Sequence, residues 1–318
     1  MAQTTWGLLV IVYLFLGGLG AGSFLAAAWL ELSGWRDERH FSPVSLVGAT
    51  LSGPLVAVGS LLLVFDLGAG KTEPLRILAL YANAQSPMTW GIWILSLFIP
   101  VALLYGFLEL VEAEPFLKGM VWARTPRGLF RPHLWRRGVA IVGSVLAVGT
   151  AVYTGVLISA VGPAVPFWSQ PILPFLAAPV MPVLFLVSAL STGLGATFDL
   201  AVPIAGSRFR GQIRTVDRIH ILLVSLEAIL IGLLLITSLS AGGAAGESAR
   251  VLLYGPLKWV FWLGVVLVGL ILPFVVHAWA VATGRHSQWT RLGTGSGTLV
   301  AGLFLRYLIV TAGIPAQL

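Results

Sequence analysis

Apolar positions in this chain do not alternate with polar ones. They collect into eight long runs, at residues 6–32, 44–65, 90–111, 138–161, 172–198, 219–239, 257–282 and 298–312, and the stretches between them hold most of the charge. A membrane-crossing helix needs about 20 mostly apolar residues; the last run is the shortest and carries Arg306. The two-residue alternation of barrel strands is absent. Backbone polar groups must be satisfied within the segment in lipid, so the runs predict helices. Pro54, Pro100, Pro179, Pro182 and Pro273 fall inside them, where neighbouring helices can re-satisfy the freed backbone groups. The expected fold is an all-α integral membrane protein with eight transmembrane helices.

Composition agrees. Of 318 residues, 58% are hydrophobic and 10% charged, against about 25% charged in an ordinary soluble domain. A water-soluble globule and a disordered chain are both excluded. The net charge of +7 would suggest nucleic acid in a soluble protein. Here fourteen of the nineteen lysines and arginines fall after runs 1, 3, 5 and 7, which reads as the positive-inside bias. Both termini are then expected outside, with the loops 66–88, 159–171 and 240–256. The longest loop, 112–137, is basic and expected on the cytoplasmic surface. The N-terminus lacks a basic leader, so the first run reads as a retained span.

Two glycine-rich segments, Gly18 to Phe24 in run 1 and Gly193 to Phe198 in run 5, share a pattern and an expected direction. They hint at two four-helix bundles, residues 1–161 and 162–318, related by a parallel repeat. A dinucleotide fold is excluded for the first segment, because no strand precedes it. Close helix packing is the preferred reading, with room for a flat ring to approach the backbone at Gly18 as a secondary one.

Polar residues inside spans are costly and are default functional candidates. Near the outer side lie Tyr13, Asp66 and Tyr153, with the segment Ser86-Pro-Met-Thr-Trp90-Gly91 opening run 3. Each tyrosine taken singly reads as an interfacial residue, and Asp66 as a helix-end brace, with Arg76 as partner, or a proton carrier. Glu227 and Arg306 sit at matching depth, which favours an internal ion pair; the sharper reading makes Glu227 a proton relay. Asp199, Asp217, His220 and His277 lie toward the cytoplasmic side, as ordinary interfacial groups or a proton-entry mouth. His220 and His277 could also serve as axial ligands of a b-type haem, though two histidines do not establish one. The tryptophans near span ends, Trp6, Trp168, Trp259 and Trp289, read as belt anchors. With no cysteine, disulfides, thiolate zinc, iron–sulfur clusters and covalently attached haem are excluded from this chain.

The ordered set Tyr13-Leu-Phe-Leu-Gly-Gly-Leu-Gly-Ala-Gly22, Asp66-Leu-Gly68, Ser86-Pro-Met-Thr-Trp-Gly91, Tyr153-Thr-Gly155, Asp217 with Glu227, and Arg306-Tyr-Leu-Ile-Val-Thr-Ala-Gly313 resembles the polysulfide reductase membrane-subunit (NrfD-like) family. The resemblance implies two four-helix bundles and a quinone-reactive anchor in a prokaryotic inner membrane. It also implies a four-cluster ferredoxin-like iron–sulfur partner, with a molybdopterin or multihaem catalytic subunit on the outer face. Menaquinone or ubiquinone would be the cofactor, with no haem or iron–sulfur cluster in this chain. Tyr13, Asp66 and Tyr153 are then the expected quinone-pocket residues, Asp66 exchanging protons, with Gly18 and Trp90 shaping the pocket. Glu227, Arg306, Asp199 and His277 are the expected proton path. A secondary transporter and a non-redox scaffold are the alternatives.

Overall fold

The computed structural model describes residues 6–35, 42–66, 81, 83–117, 119, 132–173, 176–205, 213–284 and 288–316. The Leu67–Gly68 part of the second motif, Arg76 and most of the basic loop residues lie outside these. The chain order is α1 (Leu8–Leu32), α2 (Ser42–Asp66), α3 (Pro87–Ala113), α4 (Pro132–Ser159), a two-stranded hairpin β1 (Pro171–Leu173) and β2 (Leu176–Pro179), α5 (Val180–Ala205), α6 (Ile213–Ala241), α7 (Gly243–Leu253), a π-helix (Val260–Ile271), α8 (Leu272–Thr283) and α9 (Gln288–Thr311). Eight helices are long and apolar enough to cross a membrane, the π-helix and α8 forming one. The protein is a multi-pass helical membrane protein.

Beyond shifts of up to seven residues at other helix ends, four features depart from the sequence expectation. The fifth span begins at Val180, not at 172, because Pro171, Pro174, Pro179 and Pro182 interrupt the apolar run. A proline cannot donate to a helical ladder, and the segment pairs as an antiparallel hairpin instead. The eighth span begins ten residues earlier than expected, at Gln288. Its Gly/Ser/Thr start is short of apolar residues but packs closely: Gly295 lies against the Asp199 side chain and Gly297 against Val268. In the seventh span, Pro273 follows the π-helix directly; its ring crowds the preceding turn, which the wider π geometry relieves. The loop 240–256 contains α7, which leaves α6 through Gly242 and Gly243 at φ +66° and +52°, a backbone region open chiefly to glycine.

α1 and α5 are the most enclosed spans and α6 the least. Leu222, Ile229 and Ile236 of α6 form an exposed stripe at seven-residue spacing. The two glycine-rich segments meet each other: a side chain at Gly22 would collide with the backbone of Ala189, and one at Gly193 with the backbone of Gly22. The pattern is therefore explained by backbone contact between α1 and α5. α1 also packs on α2 and α4, with α3 completing that group, while α5 packs on α6 and α9. Among α1, α3 and α4 the core is aromatic. Phe24 lies 5.4 Å from Phe98 and 5.1 Å from Tyr105, over Gly143.

Both termini lie at one end, here the termini end. The Trp6 ring packs 5.4 Å from that of Trp168 at a tilt of 44°, and the Ala316 and Ile314 amides donate to the Ala164 carbonyl and the Ser248 hydroxyl. Trp168 is not a belt residue. It is 1% exposed and its Nε1 donates to the Ile309 carbonyl at 2.8 Å, tying the 159–171 segment to α9. Trp259, at 65% exposure, retains the belt reading.

Candidate functional site

At the termini end, α1 and α4 bring two phenols together. Tyr13 is fully enclosed between α2 and α4: its ring borders Gly59 and Gly17, and Thr154 closes the same corner. Its hydroxyl has no hydrogen-bond partner among the described residues. An enclosed hydroxyl left without a partner costs about 1–3 kcal/mol. Tyr153, the residue before Thr154, stands close to it. The Tyr153 hydroxyl donates to the Met88 carbonyl at 3.5 Å, long for a hydroxyl donor. Its ring lies on Gly91 so closely that a β-carbon there would overlap it. The Ser86–Gly91 segment thus enters the site through the backbone of Met88 and Gly91. Trp90 turns away: it is 55% exposed, and its Nε1 donates to the Ala84 carbonyl at 2.9 Å.

Asp66 ends α2 at the same surface and is exposed. A carboxylate at a helix C-terminus opposes the helix dipole, but here its Oδ1 borders Gly7, the N-cap of α1, where the dipole of a second helix favours it.

Gly18 faces the other side of α1. A β-carbon there would lie 3.1 Å from Arg306 Nη2 and 3.5 Å from Ala189. Arg306 is 0% exposed. Its Nη1 donates to the Ser188 hydroxyl at 2.6 Å and the Gly302 carbonyl at 2.9 Å, and its guanidinium lies 5.2 Å from the Phe185 ring. Nε and Nη2 have no partner among the described residues. The expected direct ion pair with Glu227 does not form: among the described residues no carboxylate lies within 4.0 Å of Arg306. Ser188, which accepts from Arg306, lies near Glu227 as well. Glu227 also borders a small cavity with Ser191, Thr298 and Gly302, which holds about one water by volume.

This polar seam continues to the opposite, basic end. The Thr298 hydroxyl donates to the Gly295 carbonyl at 2.7 Å, and Gly295 supports Asp199. Gly195 borders both Thr298 and His220. The His220 and His277 rings are stacked at 4.6 Å and 13°, and His277 Nδ1 lies 3.0 Å from Asp217 Oδ1. Imidazoles in face contact cannot ligate a haem between them, which removes the axial-ligand reading of this pair.

A second charged cluster was not singled out by the sequence reading. Arg136, counted there among the loop residues, lies in α4. Its Nε contacts Glu31 of α1 at 2.7 Å and Glu109 of α3 at 3.6 Å, all three being at most 5% exposed. The signal was present, because Glu31 and Glu109 both fall inside apolar runs, as Glu227 does.

A membrane bundle with buried phenols at one end and a polar seam through its second half defines a class of integral membrane subunit. The chain belongs to the NrfD polysulphide reductase family, whose description it matches over residues 1–316. It is 31% identical to the C chain of polysulfide reductase from Wolinella succinogenes over 318 residues, 97% of this chain and 94% of that one. It is 29% identical to protein NrfD of Escherichia coli K12, again over 97% and 94% of the two chains. The C subunit of selenate reductase from Mesobacillus selenatarsenatis is 24% identical, over 99% of this chain and 74% of that one. Two of these relatives carry names that make them parts of multi-subunit reductases.

Proposed function

We propose that this chain is the quinone-reactive membrane anchor of a respiratory oxidoreductase, exchanging electrons between the membrane quinone pool and an iron–sulfur partner subunit. The observation that carries this reading is the enclosed, unpartnered Tyr13 hydroxyl beside Tyr153. A quinone carbonyl is an acceptor of the kind such a hydroxyl lacks, so the residues fit the group. When bound, menaquinone or ubiquinone supplies carriage of two electrons and two protons, which no side chain here provides. Tyr13 and Tyr153 would orient the ring by donating to its oxygens. The glycine at 91 gives Tyr153 its position, and the Ser86–Gly91 segment forms the mouth. Asp66, exposed at the same surface, would pass protons between the site and water.

The iron–sulfur subunit, with a molybdopterin or multihaem catalytic subunit, would dock on the termini end, taken as the outer face of a prokaryotic inner membrane from the fourteen basic residues expected opposite it. Two four-helix bundles, residues 1–161 and 162–318, are consistent with the helix neighbours. Within the second, the seam through His277, Asp199, Glu227 and Arg306 would conduct protons from the basic end. Its contiguity through Gly195, Thr298 and the one-water cavity supports this role.

The test is purification of the intact complex, subunit identification, and titration of quinol-dependent turnover with a quinol-analogue inhibitor. An iron–sulfur or multihaem companion and an inhibitor-sensitive signal are expected. A chain that purifies alone without such a signal would point to a transporter using the same buried charges.

A further inference from the structure

We propose that the chain holds an anionic phospholipid in a groove between α1, α5 and α6, separate from the phenol site and independent of the quinone reading. The groove has a volume of about 260 Å³ and is open-sided; every residue lining it is apolar, among them Gly22, Ala26 and Trp29 of α1, Leu194 of α5, and Ile219 and Leu223 of α6. It exists because Gly22 brings α1 onto the backbone of α5 at the crossing. Toward the basic end the groove is bordered by the short side chain of Ala26 on α1 and by Ile219 on α6. A void of this size in a bundle wall loses packing contacts unless something occupies it.

Depth and charge identify the occupant. Gly22 lies nine residues beyond Tyr13, which is about 13 Å along a helix. The groove therefore belongs to the half of the membrane next to the basic end. Trp29 lines that end, with the Trp35 ring edge-on to it at 4.9 Å, the ring pair expected at headgroup level. On α6, Thr215 lies one turn before Ile219, on the same face of the helix, and Arg218 immediately precedes Ile219 in the chain; both are exposed. A guanidinium and a hydroxyl at the headgroup end of an apolar slot suit a phosphodiester, which an arginine can bind by two parallel hydrogen bonds. Basic pockets between helices take anionic headgroups in this way. The uncharged head of a quinone could accept a hydrogen bond from Arg218 but would gain no charge pairing from it. Arg214 reaches instead toward Gly284 at the end of α8, and serves as a control.

The full chain, with whatever subunits purify with it, is titrated in detergent with phosphatidylglycerol or phosphatidylcholine carrying brominated acyl chains. The readout is the tryptophan quenching that is lost in Trp29→Phe. The expected result is half-saturation at about fivefold less phosphatidylglycerol than phosphatidylcholine. Arg218→Gln should abolish the preference and Arg214→Gln should keep it. Equal quenching by both lipids, or no quenching that depends on Trp29, would overturn the proposal. Displacement of the lipid by a long-chain quinone at equimolar concentration would also overturn it, and would assign the groove to an isoprenoid tail.

Discussion

Gly91 is the seat of Tyr153: the phenol ring rests on the α-carbon of residue 91, in space that any larger residue would occupy. The ring's position, and with it the pairing to Tyr13, depends on a missing side chain on a neighbouring helix. Gly91→Ala is expected to displace the ring and destabilise the protein by about 1–3 kcal/mol, with a marked loss of quinol-dependent turnover. Gly149→Ala is the control, since a β-carbon there meets Ile94 at 3.5 Å, an ordinary contact. Thermal unfolding and turnover of the purified complex measure both.

Tyr13→Phe removes only the unpartnered hydroxyl. The expected outcome is unchanged or slightly raised thermal stability, because no protein hydrogen bond is lost, together with a higher KM for quinol. A fall in stability with KM unchanged would mean that the hydroxyl serves the fold alone. Melting curves and steady-state kinetics on the same preparation separate the two.

With Ser188 bonded to Arg306 and near Glu227, the energetics of the two charges should be coupled without contact. Arg306→Met is expected to cost about 1.5–3 kcal/mol, chiefly through the lost hydrogen bonds to Ser188 and Gly302. Combining it with Glu227→Gln should recover part of that loss, with a coupling energy of about 0.5–3 kcal/mol. Repeating the cycle with Ser188→Ala should shrink the coupling. Denaturation of the four variants in each background provides the measurement, and an unchanged coupling would remove Ser188 as the link.

The Glu31–Arg136–Glu109 cluster joins three helices at the end opposite the phenols. Arg136→Ala is expected to destabilise by about 3–5 kcal/mol, since it removes a buried guanidinium from between two carboxylates. Glu109→Gln, at the longer contact, should cost less than Glu31→Gln. Unfolding temperatures rank the three, and the reverse order of the two glutamates would contradict the geometry.

The spans were legible because lipid demands a length and an apolarity that a sequence displays directly. The boundaries that slipped were those set by other chemistry: proline spacing ahead of α5, small-residue packing at the start of α9, and a π turn at Pro273. The site was legible as a set of residue types but not as an arrangement. Tyr13, Tyr153 and the 86–91 segment do converge, whereas Gly18 turned out to face Arg306, Trp90 the surface, and Glu227 a serine. Contacts between α1 and α4, more than a hundred residues apart, cannot be read from spacing; the Glu31–Arg136 pair was missed for that reason. The acids inside runs 1 and 3 were visible by the same rule that selected Glu227.

At Gly22 and Gly193 the two most enclosed helices touch main chain to main chain, with no side chain to compress or rearrange between them. A joint of that kind resists sliding but permits pivoting. Rocking of α5 and its neighbours against α1 would turn about this fulcrum, opening one end as the other closes. With the tyrosines above the joint and the histidines below it, a displacement at either end would be felt, with opposite sign, at the other.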